Sequence, residues 1–193
     1  MTKKYGVLGR LALFVTALIW GTSFVILKST LNSVSTMWML TIRFTISAII
    51  LLAFAARRLK KMDRRTLTGA VLMGCCLAAA YIVQTYGLVY TTAGKNAFLT
   101  ATYCVLVPFL AWAVYKRKPG VNNVIAAVLC ITGIGFVSLS SGFDRLNIGD
   151  VLTLLCGVFY AFQIIMMENY IDGGDSVSIS AVEFSTAAVM CLA

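Results

Sequence analysis

Six long apolar stretches and the opening of a seventh occupy almost the whole chain, and no water-soluble core has room for them. They run from Leu11 to Leu27, Thr36 to Ala56, Leu67 to Tyr90, Ala93 to Tyr115, Val121 to Ser140, Val151 to Met167 and Val177 to Ala193. A helix needs about 20 apolar residues to cross a hydrocarbon layer ~30 Å thick, and each stretch is near that length. In lipid, every backbone N–H and C=O must bond inside the protein, which leaves helices and closed barrels. Barrel strands alternate apolar and polar residues over about ten positions, whereas these stretches are continuous. The expected fold is an all-α integral membrane protein, a polytopic helical bundle with antiparallel neighbours joined by short connections. Only 12% of residues are charged, too few to cover a soluble surface.

A net charge of +9 raises the question of nucleic acid, and the placement of the charges answers it. Lys3, Lys4 and Arg10 precede the first stretch; Arg57, Arg58, Lys60, Lys61, Arg64 and Arg65 separate the second from the third; Lys116, Arg117 and Lys118 separate the fourth from the fifth. The alternate connections hold only Lys28, Lys95 and Arg145, with Arg43 inside a stretch. This is the positive-inside pattern. It predicts a cytoplasmic N-terminus and contact with anionic membrane lipid, and no nucleic-acid role. The basic flank of the first stretch also fits a signal peptide, but no small-residue cleavage site follows it. The first stretch reads as a retained helix.

Chemistry-bearing motifs are few. All six cysteines lie inside apolar stretches, none forms a C-x-x-C pair, and the chain has no histidine. Neither a metal site nor a cofactor is expected. There is no G-x-S-x-G, no phosphate loop and no carboxylate pair at helical spacing, so the chain is not read as an enzyme.

Two patterns organise the bundle. Small residues recur every fourth position: Ala17 and Gly21; Ala70, Gly74 and Ala78; Ala93, Ala97 and Ala101; Gly157 and Ala161. Such stripes let helix backbones approach, and Gly133 with Gly135 is expected to do the same. The second pattern is a weak internal repeat. An offset of 140 residues lays Trp20 on Tyr160, Gly21 on Ala161, Ser23 on Gln163, Phe44 on Phe184, Lys28 on Glu168 and Arg43 on Glu183. An odd number of spans separates the copies, so the second is inverted in the membrane, as in many secondary transporters. The expected organisation is residues 1–145 as a first five-helix repeat (helices about 11–27, 36–56, 67–90, 93–115 and 121–140). Residues 146–193 begin a second, inverted repeat (helices about 151–167 and 177–193). Completing it requires three further spans, so the chain reads as a partial sequence.

Ionisable groups inside hydrocarbon face cavities or partners. Arg43 lies well inside the second stretch and either snorkels to the headgroups or pairs with an anionic substrate or a carboxylate. Glu183 lies at the matching depth of the seventh stretch. It is a candidate for proton coupling, with a structural hydrogen bond or snorkelling as alternatives. Arg43 and Glu183 enter from opposite faces and are expected as opposing gate elements. Lys95 begins the fourth stretch, where it serves either as an interface anchor or as an attractor of anions to an outward opening. Pro108, in mid-span, predicts a kink there. A candidate lining consists of Trp20, Thr22 and Ser23, Tyr81 and Gln84, Thr100 and Tyr103, and Tyr160 and Gln163. The amides of Gln84 and Gln163 each need a partner in lipid. As a set these groups predict an apolar pocket with a few polar fixtures.

Several segments resemble a known family. Ala17-Leu-Ile-Trp-Gly-Thr-Ser-Phe24 is similar to the first-helix signature of the EamA-like family of the drug/metabolite transporter superfamily. Arg43-Phe44 resembles its second-helix arginine-aromatic pair. Thr91-Thr-Ala-Gly-Lys-Asn-Ala-Phe-Leu-Thr100 with Val107-Pro108 resembles the third-to-fourth helix junction and the fourth-helix proline. Gly149-Asp150 resembles the opening of the second half. The resemblance implies ten helices in two inverted halves, alternating access around a central cavity, a bacterial inner-membrane location and export of small metabolites or drugs. The chain departs from the family where Tyr115-Lys116-Arg117-Lys118 stands in place of a Glu-Arg pair at the end of the fourth helix.

The resulting expectation is a secondary carrier of small organic solutes, with membrane lipid and a second copy of the chain as candidate partners. The competing readings are an intramembrane enzyme or lipid-handling protein, and a seven-helix receptor. The receptor reading conflicts with the charge pattern.

Overall fold

The computed structural model describes residues 3–31, 33–60, 62–116, 118–140, 147–171 and 175–192. Lys61, Arg117, Arg145, Ala193 and the expected 145/146 boundary lie outside them. Among the described residues eight helical segments follow one another: α1 (Lys3–Thr30), α2 (Thr36–Leu59), α3 (Arg64–Tyr90), α4 (Ala93–Thr100), α5 (Tyr103–Tyr115), α6 (Val121–Ser140), α7 (Ile148–Tyr170) and α8 (Ser176–Leu192). α1, α2 and α3 extend past the apolar stretches into flanking Lys and Arg, which are good helix formers. Among the described residues five spans are long and apolar enough to cross a membrane, one of them Ala93–Tyr115, which combines α4 and α5. Val121–Phe136 and Ser176–Leu192 are apolar but shorter.

The fourth span is broken, though not where its proline predicts. Pro108 sits inside α5; the interruption falls at Ala101 and Thr102, N-terminal to it. There the hydrogen bonds tighten to three-residue spacing, from Thr102 N to Leu99 O (3.2 Å), Cys104 N to Ala101 O (3.2 Å) and Val105 N to Thr102 O (2.9 Å). The Thr102 hydroxyl also donates to Leu99 O, at 2.7 Å, a second bond to the carbonyl that accepts from Thr102 N.

The core lies where α3 meets α7 and α8, and α2 meets α8. α3 and α7 run antiparallel: Cys76 Sγ meets Met166 Sδ, and the Arg65 guanidinium donates to Asn169 O near their paired ends. α2 and α8 are also antiparallel, with Arg58 and Asp175 paired at one end (3.0 Å) and Thr41 donating to Cys191 O (2.9 Å) towards the other. Small residues permit these crossings. A Cβ on Gly74 would lie 2.6 Å from Glu183 O, and one on Gly87 would lie 2.7 Å from Thr153 Oγ1. The Ala70, Gly74 and Ala78 stripe is therefore a true contact seam. The stripes of α1 and α4 meet more loosely. Ala17 and Gly21 face Ala97 and Ala101 across a cavity of about 220 Å³, and a Cβ on Gly135 would meet nothing within 4 Å outside its own helix among the described residues.

One end of the bundle gathers Arg58, Arg65, Asn169 and Asp175; we call it the basic end. Here Asp63 caps α3 by accepting from Thr66 N (3.1 Å), and Asp175 accepts from the Ser178 hydroxyl (2.6 Å) and backbone N–H (3.1 Å). Hydrogen bonds from Thr66 hold the Asp63 carboxyl below its ordinary value. The Ser178 hydrogen bonds, and behind them Arg58, do the same for Asp175. A depressed carboxylate stabilises the fold above the ordinary value and loses that contribution as pH falls through the lowered one. Acidification below 3.8 will therefore loosen the start of α8 before the core. Backbone amide exchange at Ser176–Ile179, followed against pH, checks this; protection that is flat from neutrality to pH 2 contradicts it.

Candidate functional site

Away from the basic end, the chain places a buried carboxylate and a buried ammonium in contact. Asp150 occupies the first turn of α7, where a capping box fixes it: Asn147 Oδ1 accepts from Asp150 N (2.9 Å) and Asp150 Oδ2 accepts from Asn147 N (3.1 Å). A carboxylate at a helix N-terminus also meets the favourable end of the helix dipole. Lys95, in the first turn of α4, donates to Asp150 Oδ2 at 2.6 Å, and the Thr91 hydroxyl donates to Oδ1 at 2.9 Å. Lys95 is 8% exposed and Asp150 is fully buried. Asp150 thus holds the Lys95 ammonium inside the bundle, a contact that neither the interface-anchor nor the anion-attractor reading of Lys95 contained. Lys28 lies nearby and closes the C-terminus of α3, donating to Leu88 O (2.7 Å) and Val89 O (3.0 Å).

From this ion pair a polar column descends between α3, α4 and α7. The Asn96 amide donates to Thr153 Oγ1 (2.7 Å) and Gln84 O (3.2 Å). Gln84 Nε2 donates to Thr100 Oγ1 (2.8 Å), and Gln84 Oε1 accepts from the Tyr160 hydroxyl (3.3 Å). These groups meet because α4 carries its polar residues on the face turned to α3 and α7. In an apolar interior each such bond avoids the cost of an orphaned dipole, about 1–3 kcal/mol. Asn96 Oδ1 is the exception, buried with no partner among the described residues.

Below the column lies an aromatic cluster. Tyr160 packs edge-on against Tyr81 (centroids 5.7 Å apart) and tilts against Tyr103 (5.8 Å). Tyr103 in turn meets Trp20 of α1 (6.5 Å). Tyr81 continues to Phe44 (5.2 Å), and Phe44 to Phe184 (5.8 Å). Edge-to-face pairs of this kind add about 0.5–1.5 kcal/mol each beyond area burial. The Arg43 guanidinium lies over the Tyr81 ring, 4.8 Å from its centroid, with a long contact to the Tyr81 hydroxyl at 3.4 Å. Gln163 donates to Glu183 Oε1.

Two cavities flank Trp20. One of about 410 Å³ is lined by Thr16, Ile19, Trp20, Ser23 and Arg43. The other, about 220 Å³, lies between α1 and α4–α5 and reaches Phe24, Thr100 and Tyr103. Of the residues singled out in the sequence, Trp20, Arg43, Tyr81, Gln84 and Tyr103 therefore form one connected region with Tyr160 and Thr100. Ser23 borders it. Gln163 and Glu183 form a separate pair between α7 and α8, Lys95 sits at the top of the column, and Pro108 lines neither cavity beside Trp20. Arg43 meets Tyr81 and not Glu183.

Asp150, Asn96, Thr91 and Thr153 escaped the sequence reading as site members. Asn147-x-x-Asp150 is a legible capping pattern, and an acid at the edge of an apolar stretch calls for a cation. What the sequence lacks is the pairing itself, made across 55 positions.

An all-helical bundle with apolar flanks, an ion pair sealed inside it and a polar–aromatic column leading to cavities defines a polytopic helical membrane protein with a polar interior. The chain belongs to the EamA-like transporter family, whose model matches residues 7–139. A protein of Archaeoglobus fulgidus named an uncharacterized transporter is 38% identical over 160 residues, covering 83% of this chain and 49% of the relative. An uncharacterized transporter in the sor 3'region of Acidianus ambivalens is 27% identical over 147 residues (76% of this chain, 55% of the relative). The uncharacterized transporter YoaV of Bacillus subtilis is 22% identical over 191 residues (94% and 64%). The chain thus spans about half to two thirds of the length of these relatives. No solved structure matches the chain.

Proposed function

We propose that this chain forms part of a secondary carrier that moves small organic solutes across a prokaryotic cytoplasmic membrane by alternating access. The bacterial inner membrane and outward flux are the setting we favour. The observation that carries the reading is the Trp20–Tyr103–Tyr160–Tyr81 cluster with its cavities and the hydrogen-bonded column behind it. Polar groups are costly in a bundle and persist where solute or water has to be met. Family membership and the names of the relatives support transport.

The inverted repeat belongs to the same proposal. Phe44 and Phe184 correspond under the 140-residue offset, and their rings touch at 5.8 Å, as equivalent residues beside a two-fold axis do. The antiparallel course of α2 and α8 is consistent with that axis. Rocking of one half on the other would then open the Trp20 cavities to alternate faces. Within that movement Arg43 and Glu183, each next in sequence to one of the two touching phenylalanines, serve as gate elements, and the Gln163–Glu183 pair is the candidate for proton coupling.

Counterflow in proteoliposomes, screened over a metabolite mixture with the N-terminus placed by accessibility labelling, tests the reading. Saturable exchange of at least one solute is expected, lowered about ten-fold or more by Tyr103→Ala, which removes a ring from the cavity wall. Exchange no faster than in protein-free vesicles for every solute would sink it.

A further inference from the structure

Among the described residues no carboxylate pairs with the half-buried Arg43 guanidinium. The ion pairs among the described residues are Arg58–Asp175 and Lys95–Asp150; neither uses it. Its contacts are the Tyr81 ring and hydroxyl. A guanidinium presents five N–H donors in a planar fork, and a ring face with one distant hydroxyl leaves most of them unused. Arg43 is half-buried, and a partly desolvated charge without a counter-ion is costly, so a mobile anion gains from filling the place. The cavity that Arg43 lines is shaped for more than an inorganic ion. Its volume of about 410 Å³ falls at the small end of ligand pockets, about 300–1,000 Å³. The half-exposed indole of Trp20 forms one wall. The two hydroxyls on the same wall are already committed as donors, Thr16 to Ala12 O (2.8 Å) and Ser23 to Trp20 O (2.7 Å). They present acceptor lone pairs and do not compete with Arg43 for an anion.

We infer that this cavity binds small organic anions, a carboxylate on Arg43 with an apolar or single-ring body against Trp20. The inference deepens the carrier reading by naming its solute class and rests on that reading for the claim that the anion is carried. Binding itself is measured without flux. Radiolabelled benzoate is titrated onto the purified protein in detergent micelles, with benzamide and benzylammonium as uncharged and cationic competitors of matched shape. Saturable benzoate binding is expected, with both competitors weaker by about ten-fold or more, the scale of a charge-assisted hydrogen bond. Arg43→Gln should reduce affinity by a similar factor while Arg43→Lys keeps part of it. Trp20→Leu, at a partly exposed position, should weaken benzoate without unfolding the helix, which separates loss of the site from loss of the protein. Equal competition by benzylammonium, unchanged affinity in Arg43→Gln, or no saturable benzoate binding at millimolar concentration overturns the inference. Solute exchange in vesicles with no preference for anions would overturn it and leave the carrier reading standing. Benzoate binding with no exchange of any solute would do the reverse.

Discussion

Asp150→Asn will destabilise the bundle by about 3–5 kcal/mol, the cost of stranding one charge of a buried pair. Lys95 is left with no anion at a site where it is 8% exposed, and it cannot reach water without opening the junction of α3, α4 and α7. Lys95→Met strands the opposite charge and should cost a similar amount. The double variant Lys95→Met with Asp150→Asn should be more stable than either single one. No charge then remains to be solvated, the asparagine oxygen still accepts from the Thr91 hydroxyl, and the backbone N–H at 150 still donates to the Asn147 side chain. Titration with a denaturing detergent, followed by helical ellipticity, measures all three. Singles within about 1 kcal/mol of the parent would show that water or another cation already reaches the pair. The size of the effect matters for function because the same pair ties α4 to α7 across the proposed boundary between halves. A carrier that opens on that side has to weaken it.

Gly149→Val is the second large change. A Cβ at this position would sit 2.5 Å from Gly87 O and 2.9 Å from the Tyr90 Cβ. The Gly87 oxygen belongs to backbone, which has no rotamer to move, so α3 and α7 must separate. Overpacking of this kind costs about 1–3 kcal/mol, and the branched side chain enlarges the clash. Separation also stretches the Asn96–Thr153 and Tyr160–Gln84 bonds of the column, so solute exchange should fall together with stability. Gly135→Ala is the control: its Cβ would meet nothing within 4 Å outside its own helix among the described residues, and a mid-helix alanine should stabilise by about 0.5–1 kcal/mol. Melting curves of the purified variants decide it; equal melting of Gly149→Val and the parent would mean the two helices are not in contact there.

The two variants probe features of very different visibility in the sequence. Gly74 and Gly157 announce themselves through four-residue spacing, but the same spacing at Ala17–Gly21 and Ala93–Ala97–Ala101 ends in a cavity. A small residue permits approach and does not compel it. The need of Gln84 for a partner is readable from an amide in an apolar run; that the partners are Thr100 and Tyr160 is not. Pro108 fixes its own φ and removes one donor, yet the helix carries it and yields instead at Ala101–Thr102, where the Thr102 hydroxyl adds a bond to the Leu99 carbonyl. Lys95 shows the limit most clearly. Next to a stretch boundary it looks solvent-facing, because its counter-charge lies on another helix.

Sequence alone determined that this chain lives in lipid as helices, roughly where each begins and ends, and which end of the bundle is basic. These properties follow from transfer free energies and backbone satisfaction, which act residue by residue or over a single turn. The tertiary structure alone decided that Lys95 meets Asp150, that Arg43 faces Tyr81 and a cavity, and that the aromatic rings form one cluster. Those contacts join residues far apart in the chain, and their partners are selected by how helices cross and which faces they turn to each other.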